Sequence, residues 1–206
     1  MSQPLYIQGL REEALAEKYM SPKIEHILNC AMTILKESGD QGLTMRKVAE
    51  AAGMRLSNVQ YYFKTKELLL GALLEGFLLD YAESMQLLSF SDKHNSEKKL
   101  ILLTLHILND VESSDCSVVF KEIWAIAERN SLVKKALDEY YKKLHAMLFD
   151  ALKQVAPENC QVQQVNYAVA ILLPFIEGYC ITSSNLNVPT KKLSDQLGLI
   201  LCKILS

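Results

Sequence analysis

The chain has 206 residues, half of them hydrophobic, and this length can bury roughly 70% of an extended chain's surface in one domain, or in a small module joined to a larger one. Its 22 basic and 24 acidic residues give a formal charge of −2, which excludes a histone-like basic protein and an acidic disordered tail. Mean hydropathy of +0.06 points to buried helix–helix surface or a dimer interface.

Almost every segment reads as helix. Residues 1–20 form a polar N-terminal extension without the basic start, apolar middle and small-residue cleavage site of a signal peptide, so a cytoplasmic location is expected. Ser21-Pro22 then opens a helix, and Ile24, Ile27, Leu28, Ala31, Ile34 and Leu35 recur at helical spacing until Gly39. Thr44 caps a short second helix with Met45, Val48, Ala49 and Ala52 on its inner side, closed by Gly53. Ser57 caps a very short third helix ending near Phe63, and Thr65 caps a fourth that runs to about Leu88.

A polar linker, 89–96, separates these from helices predicted at 98–109, 114–129, 132–155, 162–182 and 191–205. The apolar run Tyr167 to Ile181 contains Pro174 and Glu177 and is too short to span a bilayer, so no membrane contact is expected. Cys30, Cys116, Cys160, Cys180 and Cys202 are odd in number, scattered and free of any CxxC, as in a reducing compartment. With neither alternating strands nor repeats, the fold class is all-α. A three-helix unit at 21–66 precedes a larger helical body at 67–206, about nine helices in all.

The informative stretch is Gly42 to Leu69. Two short helices meet at Gly53, the spacing of a helix-turn-helix, and the small Ala49 and Ala52 allow them to cross. Residues 40–66 hold five basic and two acidic side chains, a net of +3, whereas 67–206 carry a net of −4. Positive charge is thus concentrated on the motif, as a phosphate-facing module requires.

These residues resemble the DNA-binding domain of the TetR/AcrR family of bacterial transcriptional regulators. The matching positions are Thr44, Val48-Ala49, Ala52-Gly53-Met54, Val59, Tyr62-Phe63, Lys66 and Leu69, within a similarity covering about residues 22–75. Two positions depart from the family pattern. Arg55 stands where Ser or Thr is usual, and Gln60 replaces a Tyr; both side chains can read a major-groove edge.

Arg55, Ser57, Asn58, Gln60 and Tyr61 are the candidates for the solvent-facing recognition surface. Thr44, Arg46 and Lys47 sit at the amino end of the second helix, where exposed N–H groups favour a phosphate. The resemblance assigns Tyr62, Lys64 and Lys66 to the DNA backbone and leaves Leu56, Val59 and Phe63 on the buried side.

It also implies a homodimer built from the last two helices. Val165, Ala168, Val169, Leu172 and Ile176 form one stripe, Leu193, Leu197, Ile200, Leu201 and Ile204 the other, and Gly178 permits close approach. The implied effector cavity takes Phe77, Met85, Leu103, His106, Phe120, Ile123, Trp124, Tyr140, Leu144, Phe175 and Glu177 as candidate lining, with Trp124 and Tyr140 as parts of an aromatic box.

The expected function is a ligand-responsive repressor that binds a palindromic double-stranded operator as a homodimer and is released by a small-molecule effector, with no cofactor. An activator of the same fold, or a dimeric helical module without specific DNA binding, are the alternatives. An enzyme is not expected: HExxH, a nucleophile elbow and a glycine-rich phosphate loop are all missing. His26 and Cys30 are four residues apart, and a core-facing pair is preferred to a metal site.

Overall fold

The computed structural model describes residues 21–91, 94–113 and 116–206. The expected extension at 1–20 and the predicted helix start at Ser114 lie outside them. Among the described residues there are nine α-helices and no strand: α1 (Pro22–Gly42), α2 (Met45–Ala51), α3 (Leu56–Tyr62), α4 (Lys66–Leu87), α5 (Ser96–Ser113), α6 (Cys116–Ala127), α7 (Ser131–Val155), α8 (Val162–Thr182) and α9 (Thr190–Leu205), with a 3₁₀ turn at Ser183–Asn185 before α9. The all-α reading holds.

The chain forms two compact units, one of residues 21–80 with 118–143, the other of 81–117 with 144–206. The first unit contains α1 to α3, which enclose Ile24, Ile27, Ala31, Leu35, Val48, Ala49, Val59 and Phe63. Helix α1 continues past its predicted end across a kink at Gly39, where φ is 61° and ψ −165°. The Asp40 N–H at the kink donates to Glu122 Oε2 at 3.0 Å.

In the second unit α9 lies along α5, and α8 packs on both. Thr104 Oγ1 donates to the Ser194 carbonyl at 3.0 Å. At Gly198 the two backbones come close together, since a Cβ there would sit 2.8 Å from Ile101 Cα. Tyr179 Oη donates to Glu112 Oε1, which also accepts from Thr190 Oγ1 at 2.6 Å.

Helix α8 with its following turn, Val162–Asn185, is longer than the predicted apolar run. By length and composition it is long and apolar enough to cross a membrane. Its inner face, Val165, Ala168, Val169, Leu172, Ile176 and Tyr179, is instead buried in this chain's own core.

Candidate functional site

Local chemistry builds the helix-turn-helix. Thr44 Oγ1 accepts the Lys47 N–H at 3.2 Å, capping α2. At its other end Gly53 adopts φ 63°; its N–H donates to the Glu50 carbonyl at 3.1 Å and the Met54 N–H to that of Ala49 at 2.9 Å. This is a Schellman stop, which needs a left-handed residue that glycine supplies without strain.

The capping role expected of Ser57 is corrected. Helix α3 begins earlier, with Arg55 in the extended N-cap position and its carbonyl accepting from Asn58 N–H at 2.9 Å, so Ser57 already lies in the first turn. Thr65 does cap α4, accepting the Leu68 N–H at 3.3 Å.

The buried side of α3 is Val59, closed by Phe63, while Leu56 is only half-buried. Arg55, Ser57, Asn58, Gln60 and Tyr61 are all exposed, as are Thr44, Arg46, Lys47 and Lys64. Tyr61 is 81% exposed, and Tyr62 meets it edge-on with ring centroids 5.2 Å apart.

Lys66 departs from expectation. Its Nζ lies 2.6 Å from Asp40 Oδ1 and donates to the Asp40 carbonyl, also at 2.6 Å. It fastens the end of α1 to the start of α4 and does not project as a free cation. His26 is corrected too: it is exposed, and its Nε2 donates to the Ala52 carbonyl at 3.2 Å, tying α1 to the end of α2, while Cys30 is half-buried. Among the described residues no group of three or more His, Cys, Asp or Glu is placed to hold a metal.

The candidate lining residues fall into both units. In the first, Phe120 gathers Phe77 (5.2 Å between ring centroids), Tyr140 (5.3 Å) and Trp124 (6.4 Å), with Ile123 fully buried. Trp124 Nε1 donates to Tyr141 Oη at 2.6 Å, a partner that the sequence reading did not name. A cleft of about 280 Å³ lies between Asp40, Lys66, Glu67, Leu70, Ile126, Arg129, Asn130 and Val133, and no sequence motif marks it.

In the second unit Leu103 and Leu144 are buried, Met85 and Glu177 are half-buried, and Phe175 stacks on Tyr179 at 6.0 Å. His106 joins Ser84 and Asp110 in a polar group described below.

The dimerisation stripes need rotation. Val165, Ala168, Val169, Leu172 and Ile176 are at most 6% exposed, as are Leu197 and Leu201, because they pack against other helices of the same unit. The outward face of α8 is Val162, Tyr167, Ala170, Ile171, Pro174 and Gly178. On α9 it is Ile200, with Leu193 and Ile204 partly covered. Only Ile200, Leu193, Ile204 and Gly178 of the predicted set reach the surface.

Residues 27–73 match the model of the bacterial regulatory proteins of the tetR family. An uncharacterized HTH-type transcriptional regulator in the dhlA 5′ region of Xanthobacter autotrophicus is 38% identical over 165 residues, covering 78% of this chain and 79% of that protein. Among solved structures, a TetR transcription regulator from Haloarcula marismortui is similar with a TM-score of 0.67 at 22% identity, over 89% of this chain and 97% of that one. FadR from Bacillus subtilis, solved in complex with stearoyl-CoA, is similar with a TM-score of 0.66 at 19% identity, over 88% and 99%. The chain belongs to the TetR family of bacterial regulatory proteins and is a helix-turn-helix transcriptional regulator.

Proposed function

We propose that the protein is a cytoplasmic homodimeric repressor that binds a palindromic operator and is released by a small-molecule effector. The observation that carries this is the recognition face. Arg55, Ser57, Asn58, Gln60 and Tyr61 stand exposed on one short helix, beside the exposed Thr44, Arg46, Lys47 and Lys64. Arg55 and Gln60 offer bidentate groups for guanine and adenine edges. The remainder suit phosphate, to which about half of protein–DNA contacts go. Tyr62, half-buried against this face, completes it.

One such helix contacts too few bases for specificity, so two copies about 34–36 Å apart would read adjacent major grooves. The outward apolar surface of α8 with Ile200 supports a twofold contact through these helices. An effector is supported by the stearoyl-CoA complex of the FadR relative and by α4 itself. That helix starts at Lys66, beside the recognition helix in sequence, and runs about 33 Å to Leu87. An effector displaces DNA only by favouring one spacing of the recognition helices over the other.

The test is duplex selection from a random library, followed by fluorescence anisotropy against salt. A palindromic consensus bound with a steep salt slope is expected; salt-insensitive or sequence-blind binding refutes the reading. For the dimer, Ile200→Glu should give a folded monomer by sedimentation with weak operator affinity, whereas Leu197→Glu should unfold the chain. A folded Ile200→Glu dimer would refute this interface.

A further inference from the structure

Three helices of the second unit bring half-buried polar side chains together: Tyr81 and Ser84 of α4, His106 and Asp110 of α5, and Glu177 of α8. Neighbouring positions on those helices, Ala82, Leu103, Ile107 and Ile176, are buried aliphatics.

Ser84, His106 and Asp110 satisfy one another. Ser84 Oγ donates to Asp110 Oδ2. His106 Nε2 lies 3.0 Å from Ser84 Oγ, 3.0 Å from the Ser84 carbonyl and 3.7 Å from Asp110 Oδ2. A carbonyl only accepts, so Nε2 carries the proton.

Tyr81 stands apart. Its hydroxyl oxygen is buried without a hydrogen-bond partner, whereas buried hydroxyls in folded proteins are nearly always paired. Burial first, and then the negative charges of Asp110 and Glu177, hold its phenol far above the usual tyrosine range. The group stays protonated and sits in a negative field. An unpaired acceptor oxygen near two carboxylates complements a donor that carries positive charge. An anion would be repelled there, and a neutral alcohol would gain the hydrogen bond without the charge attraction.

We propose that this cluster is the effector subsite for a protonated amine with an apolar body, its ammonium group held by Glu177 and Asp110 and donating a hydrogen bond to Tyr81 Oη. The assignment rests on the ligand-responsive reading above and adds to it the chemical class.

Titration of the full-length protein with hexylammonium, hexanol and hexanoate tests it. Hexylammonium is expected to bind about tenfold more tightly than hexanol, with hexanoate weakest. Glu177→Gln should remove that preference and leave hexanol binding unchanged. Tyr81→Phe should weaken amine binding and yet raise the Tm of the ligand-free protein, because it deletes a buried hydroxyl that has no partner. A purely structural phenol would not couple a higher Tm to weaker amine binding. Equal affinity for the three compounds, or an unchanged amine preference in Glu177→Gln, overturns the amine assignment and leaves a ligand-binding body standing. So does the lack of saturable binding of any of them at about 10 mM. The effector reading itself falls only if no member of a broad small-molecule library releases the selected duplex.

Discussion

Two glycines in the last helices answer the same substitution with opposite signs. A Cβ on Gly198 would lie 2.7 Å from Ile101 Cγ1, 2.8 Å from its Cα and 2.9 Å from its backbone nitrogen. The last two atoms are main chain, so a new Ile101 rotamer cannot relieve the overlap. Helix α9 has to move off α5 by roughly 0.6 Å, and gaps of that size forfeit a quarter to a half of each contact's dispersion energy. Overpacking of this kind costs about 1–3 kcal/mol, and replacing a helical glycine returns up to about 1 kcal/mol. Gly198→Ala should therefore destabilise by about 1–2 kcal/mol, lowering Tm by about 2–8 °C in a chain of this size. Gly178 is the control: nothing lies within 4 Å of its Cβ position. At concentrations where the proposed dimer dissociates, Gly178→Ala should stabilise by about 0.5–1 kcal/mol. Urea unfolding of both variants at low concentration decides. Gly198→Ala as stable as the unmodified protein would refute the close approach of α9 to α5.

Three further outcomes are expected. Arg55→Ala and Gln60→Ala should each relax base preference at a cost of about 1–3 kcal/mol, read as altered consensus in a randomised duplex library; an unchanged consensus removes that residue from base readout. Lys66→Ala should destabilise the fold by about 1 kcal/mol, discounted for its partial exposure, and leave the salt slope of DNA binding unchanged. Glu112 is held below the usual carboxylate range by its hydrogen bonds from Thr190 and then Tyr179. A depressed native pKa contributes stability above the unfolded value, about 4.3, and loses it as pH falls through the native one. Tm should accordingly drop on acidification below about pH 4.3, and Glu112→Gln should flatten that drop.

What the sequence made legible was whatever is written locally. Thr44 and Thr65 cap the helices they precede, and Gly53 takes the left-handed turn, because each of these roles involves residues within four positions along the chain. The exposed set from Arg55 to Tyr61 follows from the same short-range logic, since Val59 and Phe63 fix which side of α3 turns inward. Faces on α8 and α9 were not legible in this way. Helix α8 is apolar on both sides, with Val165 and Leu172 inside and Tyr167 and Ile171 outside. Periodicity registers an apolar stripe but does not say whether it meets the same chain or another. The link from Ser84 to the His106 and Asp110 pair, and the orphaned Tyr81, arise from helices that pack together in space and leave no mark on local spacing.

The net charge of the motif is the same whether or not Lys66 is counted as a free cation. The motif's net of +3 included Lys66 as a phosphate ligand, and the structure pairs Lys66 with Asp40. That pairing removes one charge of each sign, so the net is unchanged. Arg46, Lys47, Arg55 and Lys64 remain, all exposed, against Glu50. The same excess is now confined to α2, α3 and the residues that border them, which is where a duplex must approach. Four cations per protomer set a ceiling on the side-chain ionic phosphate contacts. At about −0.9 per neutralised phosphate the slope of log affinity against log salt reaches at most about −7 for a dimer. A steeper slope would require cations outside the helix-turn-helix to touch DNA, and would move part of the interface into a region where the chain is otherwise net acidic.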